Sequence, residues 1–281
     1  MKLNNGVISA EIANSGAELK SAVKGDYEYM WCADEKYWPR TSPILFPFVG
    51  SLKNKEYKLD GKAYPMNQHG FARDNEFELV EYGDDFATFV LKENEETLKK
   101  YPFKFALTIK YTLIDSKIKI DWTVENNNDR IMSFSIGAHP AYNLKEGENY
   151  FKFDTEEDII YHLLDPAGLC DKKCAYTLKN DGYVKITHDM FDNDAMIIEN
   201  NQAKEVAICD KNKSPYIKVK FDTPLFGLWS PAKKNAPFVC IEPWYGRCDH
   251  SDFNGELSER DYIININRDE KFSASYEVEL L

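Results

Sequence analysis

Hydrophobic and polar residues alternate with a period of two along much of the chain. In the segment KIKIDWTVEN, every second residue from Ile118 to Val124 is apolar, and the residues between them are charged or polar. Successive side chains of a β-strand point to opposite faces, so this pattern is typical of a strand with one buried face. The same alternation recurs in FKFALTIKYTL, YIKVKFD, DYIININRD and FSASYEVEL, with Asn, Asp and Gly between the segments. These patterns predict antiparallel β-strands.

Helical patterns are scarce by comparison. Only NEETLKKYP has the character of a helix, and Pro102 would end it after a short run. No Gly/Ser-rich linker, repeat of fixed period or low-complexity segment divides the chain. We therefore predict that residues 1–281 form a single all-β domain, a sandwich of several antiparallel sheets.

Composition and charge exclude several classes of function. The chain has 281 residues and a net charge of −12, with its basic residues scattered, whereas a nucleic-acid-binding protein needs a basic stripe. No run approaches the roughly 20 apolar residues that cross a bilayer, and the N-terminal segment has no signal-peptide core. We expect a cytoplasmic protein whose six cysteines are reduced. Cys170 and Cys174 stand at a possible metal-ligand spacing, but no second pair accompanies them.

The first segment with candidate chemistry is NQHGFARD, residues 67–74. His69 lies in a polar surrounding, and Gly70 after it would let a ligand approach the backbone closely. Arg73 carries a donor fork suited to hydroxyls, carboxylates or phosphates. The alternative is structural, with His69 capping a loop and Arg73 forming a surface salt bridge.

The second segment is SFSIGAHPAYN, residues 133–143. If a strand runs to His139, then Ser135, Gly137 and His139 share one face, and the residues between them face the core. Two small residues before the histidine leave room for a group lying over the sheet. Pro140 would end regular pairing and hold the imidazole at a strand end. The alternative is a histidine with a purely structural hydrogen bond at that strand end.

The third segment is FVCIEPWYG, residues 238–246. Alternation puts Phe238, Cys240, Glu242 and Trp244 on one face. An ionised carboxylate inside an apolar strand is costly to bury, and burial raises its pKa toward the range of a general base at neutral pH. Trp244 offers a flat face to the C–H side of a sugar. A buried structural salt bridge at Glu242 is the alternative.

Two histidines and one carboxylate at interrupted strand positions are suited to moving protons between two oxygens. The same three residues, His69, His139 and Glu242, also match a metal site of two histidines and a carboxylate. The residues alone leave both interpretations open.

The ordered set of RTSPILFPFVGSL, HGFARD, YPFKFALTIKYTL, GAHPAYNL and CIEPWYG resembles the aldose 1-epimerase (galactose mutarotase) family, in its LacX-like branch, nearly from end to end. The resemblance implies the galactose-mutarotase-like antiparallel β-supersandwich. It also implies that Glu242 is the base for the C1 hydroxyl, that His139 is the acid for the ring oxygen, and that His69 hydrogen-bonds the substrate. No cofactor and no metal are implied, because each proton removed is returned.

The resemblance further implies substrate-binding roles for Arg40, Arg73 and an aspartate, with Trp244 beside them. FDNDAMIIE offers Asp192 or Asp194, and Asp194 is preferred because it directly precedes an apolar strand. HGFAR also resembles the hexose-6-phosphate mutarotase branch, in which arginines at Arg40 and Arg73 would hold a phosphate. The expected partner is therefore a small sugar, free or phosphorylated, bound by a monomer or homodimer.

Two alternatives from other classes remain at this point. A non-catalytic carbohydrate-binding protein would need the aromatic residues and Arg40 but not the complete set of His69, His139 and Glu242. A metalloenzyme would use that set as metal ligands.

Overall fold

Strands make up nearly all the regular structure in the computed structural model, which describes residues 1–171 and 174–281. In chain order the first thirteen strands are Lys2–Asn4 (β1), Ser9–Ile12 (β2), Leu19–Lys24 (β3), Tyr27–Glu28 (β4), Ile44–Leu45 (β5), Glu56–Leu59 (β6), Lys62–Pro65 (β7), Glu78–Tyr82 (β8), Phe86–Lys92 (β9), Phe105–Ile114 (β10), Lys117–Asn126 (β11), Met132–Phe134 (β12) and Ile136–Ala138 (β13). The other twelve are Ala141–Asn143 (β14), Tyr150–Phe153 (β15), Ile159–Tyr161 (β16), Tyr176–Leu178 (β17), Val184–Lys185 (β18), Met196–Glu199 (β19), Glu205–Cys209 (β20), Pro215–Phe221 (β21), Leu225–Trp229 (β22), Phe238–Tyr245 (β23), Ile264–Ile266 (β24) and Lys271–Leu280 (β25).

Two large sheets dominate the fold. A nine-stranded sheet has the order β18-β15-β20-β21-β25-β11-β10-β9-β8, and a second sheet has the order β19-β22-β23-β13-β5, with β14 also paired to β23. Strands β1 to β4 form a further four-stranded sheet, and three two-stranded sheets complete the structure in the described residues. The strand pairs are antiparallel, as the alternation predicted.

The helices are short. The one α-helix in the described residues is Glu95–Lys100 (α1), where the Asn94 side chain accepts hydrogen bonds from the backbone of Glu96 and Thr97. It ends two residues before Pro102, in agreement with the prediction. Four 3₁₀ turns lie at Lys53–Lys55, Ala72–Asp74, His188–Phe191 and Leu257–Glu259. No helix within the described ranges has the length and apolar character needed to cross a bilayer.

The main core lies between the two large sheets, and strand β23 shows how the alternation divides its side chains. Val239 and Ile241 belong to the same buried cluster as Ile109 and Ile120 of the nine-stranded sheet. Phe238, Cys240 and Trp244, which alternate with them on β23, belong to smaller clusters on the opposite face, with Cys240 packed among aromatic rings. The cavity described below lies on that second face.

Candidate active site

A cavity of about 220 Å³ lies on the face of the sheet opposite the main core. Six of the seven site residues predicted from the sequence line it, namely His69, Arg73, His139, Asp194, Glu242 and Trp244. The seventh, Arg40, is outside the lining. The fold therefore gathers four segments that are far apart in the sequence.

Glu242 lies at the base of the cavity with only 1% of its surface exposed. It is on β23, opposite Gly227 of β22. Neither carboxylate oxygen has a hydrogen-bond partner among the described residues. Burial raises the pKa of Glu242 well above its usual value, and the negative charge of Asp194 adds to the rise. The nearby indole N–H of Trp244 lowers the pKa of Glu242 in part, although it makes no hydrogen bond of ordinary geometry with the carboxylate.

His139 follows the end of β13 and faces Glu242. Its Nε2 atom is 3.4 Å from Oε2 of Glu242. The imidazole stacks on Trp38 at 4.7 Å between ring centroids and meets the edge of Trp229 at 5.1 Å. Burial lowers the pKa of His139 to about 3, helped by the positive charge of Arg73. The ring is thus held by packing and is neutral at physiological pH.

Both shifts disfavour the charged form, so they favour a pair in which Glu242 is a carboxylic acid and His139 is a neutral imidazole. A neutral Glu242 carboxylic acid beside a neutral His139 imidazole holds one transferable proton. Moving that proton over the 3.4 Å from Glu242 to His139 gives a carboxylate and an imidazolium. This ion pair carries the same total number of protons as the neutral pair. The pair can therefore exchange its proton internally without exchanging one with solvent.

His69 is fixed by two backbone contacts with Gly50. Its N–H donates to the Gly50 carbonyl at 3.0 Å, and its Nδ1 accepts from the Gly50 N–H at 3.1 Å. Because Nδ1 is an acceptor, the neutral ring carries its hydrogen on Nε2. Burial, with the charge of Arg73, lowers the pKa of His69 well below 6.5. His69 is thus a neutral hydrogen-bond donor, with its ring centroid 5.8 Å from that of His139.

The backbone around His69 explains the glycine that follows it. His69 has a φ of 65° and Gly70 a φ of 71°. A Cβ on Gly70 would come within 2.3 Å of the Phe46 carbonyl oxygen. The prediction that Gly70 gives a ligand room is wrong, since the missing side chain makes room for the neighbouring chain.

Trp244 is positioned by two glycines on the flanking strands. A Cβ on Gly227 would lie 2.3 Å from Cη2 of Trp244, and one on Gly137 would lie 2.6 Å from its Cδ1. The room predicted over Gly137 thus exists, and the indole of Trp244 fills it. Its Nε1 is buried and has no hydrogen-bond partner in the part of the chain that is described.

The two arginines differ in their surroundings. Arg73 lines the cavity, and its guanidinium donates to the carbonyl of Gln68 at 2.9 Å. Arg40 donates to Oδ1 of Asp74 at 2.7 Å, and Nε of Arg73 is 3.9 Å from the other oxygen of that carboxylate. Burial and the charge of Arg40 lower the pKa of Arg73. The single carboxylate of Asp74 therefore lies close to the positive charges of both arginines.

The two candidate aspartates are separated by the fold. Asp194 lines the cavity and has a φ of 71°, with its Oδ1 accepting from the Ala195 N–H at 2.9 Å. Asp192 is an exposed residue at the end of a 3₁₀ turn and does not line the cavity. The geometry is in line with the preference for Asp194.

Sequence reasoning missed Arg247, which also lines the cavity and is 3% exposed. Its guanidinium binds Glu199, Asp261 and the Cys248 carbonyl, so it ties together the end of β19 and the loops after β23. No local pattern around Arg247 indicates these partners, because Glu199 lies 48 residues away.

The residues that could hold a metal differ from the predicted set. Ligand atoms of His139, Cys240 and Glu242 lie within 4.8 Å of one another. His69 does not join this group in the described residues. The set of two histidines and a carboxylate considered from the sequence is therefore replaced by one histidine, one thiol and one carboxylate.

Comparisons of sequence and structure with known proteins agree with one another. A family model described as aldose 1-epimerase matches residues 1–264. Protein LacX, chromosomal, from Lactococcus lactis subsp. lactis is 30% identical over 297 residues, which cover 100% of this chain and 99% of that protein.

Solved structures are similar over the same extent. A galactose mutarotase related enzyme from Lactobacillus acidophilus has 33% identity and a TM-score of 0.95, with 100% of this chain and 97% of that chain covered. A galactose mutarotase-like protein from Lactobacillus casei has 29% identity and a TM-score of 0.92, with 100% and 99% covered. The all-β, galactose-mutarotase-like fold predicted from the sequence is confirmed.

Proposed function

This chain belongs to the aldose 1-epimerase family, and we propose that it is a mutarotase that interconverts the α- and β-anomers of an unphosphorylated aldose. The observation that carries the proposal is the buried pair of Glu242 and His139, 3.4 Å apart, at the base of the cavity. Both carboxylate oxygens of Glu242 lack a donor among the described residues, so a sugar hydroxyl is a suitable partner for them.

In the proposed ring opening, Glu242 is the base and His139 is the acid. When the sugar binds, its hydroxyls donate to Glu242 and favour the ionised carboxylate, and the proton of the pair passes to His139. The carboxylate then takes the proton of the C1 hydroxyl as the C1–O5 bond breaks. The electron pair of that bond goes to O5, which receives the proton of His139.

The open-chain aldehyde turns about its C1–C2 bond before the ring closes. Closure on the other face reverses each proton transfer, so that His139 takes the O5 proton and Glu242 returns one to the C1 oxygen. His69 donates from Nε2 to the substrate near the ring oxygen and keeps its own proton. The cycle consumes no cofactor, because each group ends in its starting protonation state.

The choice of a free sugar over a sugar phosphate rests on Asp74. A phosphate held by Arg40 and Arg73 would have to approach the Asp74 carboxylate, which already contacts both. The negative charges of the phosphate and of Asp74 would repel each other at this short range. The Arg40 donor is also already bonded to Asp74. A hexose 6-phosphate is the second candidate substrate class, and the test below includes it.

Polarimetry on freshly dissolved α-anomers of glucose, galactose and glucose 6-phosphate tests the proposal. We expect the wild type to accelerate mutarotation of a free sugar and Glu242→Gln to lower kcat by about 10²- to 10⁴-fold. The control is Glu78→Gln, which removes a glutamate charge from an exposed position on strand β8 and should leave the rate unchanged.

Other outcomes separate the alternatives. Acceleration of glucose 6-phosphate alone would replace the free sugar with the phosphosugar. If the wild type binds these sugars in calorimetry but accelerates none of them, the chain is a carbohydrate-binding protein and the enzymatic proposal fails.

A further inference from the structure

We propose that His139, Cys240 and Glu242 form a binding site for a thiophilic divalent cation such as Zn²⁺, and that the bound cation inhibits the enzyme. The inhibition rests on the proposed function, whereas the binding does not. Cys240 takes no part in the proton transfers described above, yet it lies on the same face of β23 as Glu242.

The spacing of the ligand atoms fits a tetrahedral cation. Nε2 of His139 and Oε2 of Glu242 are 3.4 Å apart, and all three ligand atoms lie within 4.8 Å of one another. Bond lengths of about 2.0–2.3 Å place adjacent ligands of tetrahedral zinc roughly 3.3–3.8 Å apart. A shift of the thiol by about 1 Å, within reach of one side-chain torsion, completes the set.

Two neighbouring strands hold these residues in place. Cys240 and Glu242 are two residues apart on β23, so their side chains project from the same face. Ala141 of β14 pairs with Cys240, which brings the segment containing His139 alongside. The site is thus built on paired strands and does not depend on closure of a loop.

The charges of the site also match a dication. A thiolate at Cys240 and a carboxylate at Glu242 together carry −2, and the imidazole of His139 is neutral. Binding of Zn²⁺ releases the thiol proton and the carboxylic proton to solvent, so the buried group stays neutral overall. The carboxylate of Glu242 has no donor in the described residues and is 1% exposed, which makes a cation a favourable partner.

Inhibition follows from the atoms that the cation occupies. Glu242 must accept a proton and His139 must give and accept one, and a coordinated lone pair can do neither. The three protein ligands leave a fourth position, which would face the cavity and the sugar hydroxyls. Mg²⁺ prefers oxygen ligands in octahedral geometry and should not bind where a thiol and an imidazole make up two of three ligands.

Spectroscopy tests the binding without reference to activity. Chelator-treated protein is titrated with Co²⁺, whose thiolate complexes give a charge-transfer band in the near ultraviolet. We expect the band to reach saturation at one equivalent in the wild type and to be absent in Cys240→Ser. The control Cys248→Ser removes a different cavity thiol and should keep the band. Absence of the band in the wild type, or its persistence in Cys240→Ser, overturns the site.

Kinetics test the inhibition on any sugar that the wild type accelerates. Zn²⁺ should abolish the activity reversibly, a chelator should restore it, and Mg²⁺ should have no effect. Cys240→Ser should stay active at Zn²⁺ concentrations that abolish the activity of the wild type. Its half-inhibition should need at least about tenfold more Zn²⁺ than that of the wild type, because a direct ligand is lost. A cobalt band with no loss of mutarotase activity would overturn the inhibitory role. If no sugar is turned over at all, the proposed function fails while the band still decides the site.

Discussion

At the scale of single residues, burial shifts the pKa values of the proposed catalytic pair, Glu242 and His139, in opposite directions. Loss of water disfavours the charged form of either group, so the pKa of Glu242 rises well above its usual value and that of His139 falls to about 3. Burial therefore disfavours the charged form of both groups in the absence of substrate. Under the proposed function, the hydroxyls of a bound sugar would be the donors that stabilise the separated charges, so proton transfer would be coupled to occupancy of the cavity.

The shift at His139 predicts a loss of stability in acid. Its pKa is near 6.5 in the unfolded chain and about 3 in the folded protein, so the unfolded state binds more protons between these values. The free energy of unfolding should therefore fall as the pH decreases from about 6.5 to 3, by up to about 5 kcal/mol from this residue. Urea denaturation of wild type and His139→Phe at several pH values measures the effect.

The variant should lose part of the wild type's dependence on pH in this range and keep an aromatic ring against Trp38. His188→Phe, which replaces an exposed histidine, is the surface control and should behave as the wild type does. Equal slopes for wild type and His139→Phe would show that the buried imidazole does not oppose protonation.

Asp74 predicts the preference between free and phosphorylated sugars. Asp74→Asn removes the negative charge beside Arg40 and Arg73 and weakens their hold on this side chain, so kcat/KM for glucose 6-phosphate should rise by about tenfold relative to that for glucose. The matched control is Glu76→Gln, which removes an exposed charge two residues away. An unchanged ratio in Asp74→Asn, or an equal rise in Glu76→Gln, would contradict a role of Asp74 in selecting the substrate.

At the scale of secondary-structure elements, alternation predicted which side chains of β23 would share a face. The side chains of β23 divide as expected, with Val239 and Ile241 in the main core and Glu242 and Trp244 at the cavity. The reason is local, since the two faces of a strand are fixed by a period of two. The requirement for glycine at Gly137 and Gly227 is not local, because it depends on the indole that a neighbouring strand places above each.

Gly227→Ala should disturb the site through Trp244. The added methyl group would lie 2.3 Å from Cη2 of the indole, so the ring must move out of its position beside Glu242. We expect kcat/KM to fall by about tenfold or more, equivalent to roughly 1.4 kcal/mol, in the polarimetric assay.

A double substitution provides the control for this effect. Trp244→Phe leaves a smaller ring that tolerates the methyl group, so Gly227→Ala should cost nothing further in that background. If the two losses add in full, the alanine acts by some route other than displacement of the indole.

At the scale of the whole molecule, the site depends on pairings that no short stretch of sequence reveals. Leu45 of β5 pairs with Gly137 of β13, and Gly137 pairs with Trp244 of β23. These contacts join β5, β13 and β23, and the bridge between Phe46 and Gly70 brings the segment of His69 beside them. The sequence could identify the segments of His69, His139 and Glu242 only one at a time. The family resemblance supplied their convergence, while the ion pairs of Arg247 and the packing of Gly70 against Phe46 had no local signal.

The overall charge gives a last prediction about the substrate. A net charge of −12 repels anions at a distance and has no such effect on a neutral sugar. Salt shortens the range of these fields to about 10 Å at 0.1 M, so kcat/KM for a free aldose should change less than about twofold between low and moderate ionic strength. Initial rates on glucose and on glucose 6-phosphate, measured over a salt series, report the effect. A steep fall with salt in the rate on glucose 6-phosphate, at a level above that on glucose, would mean that the arginines attract the anionic substrate, and the phosphosugar would then replace the free sugar.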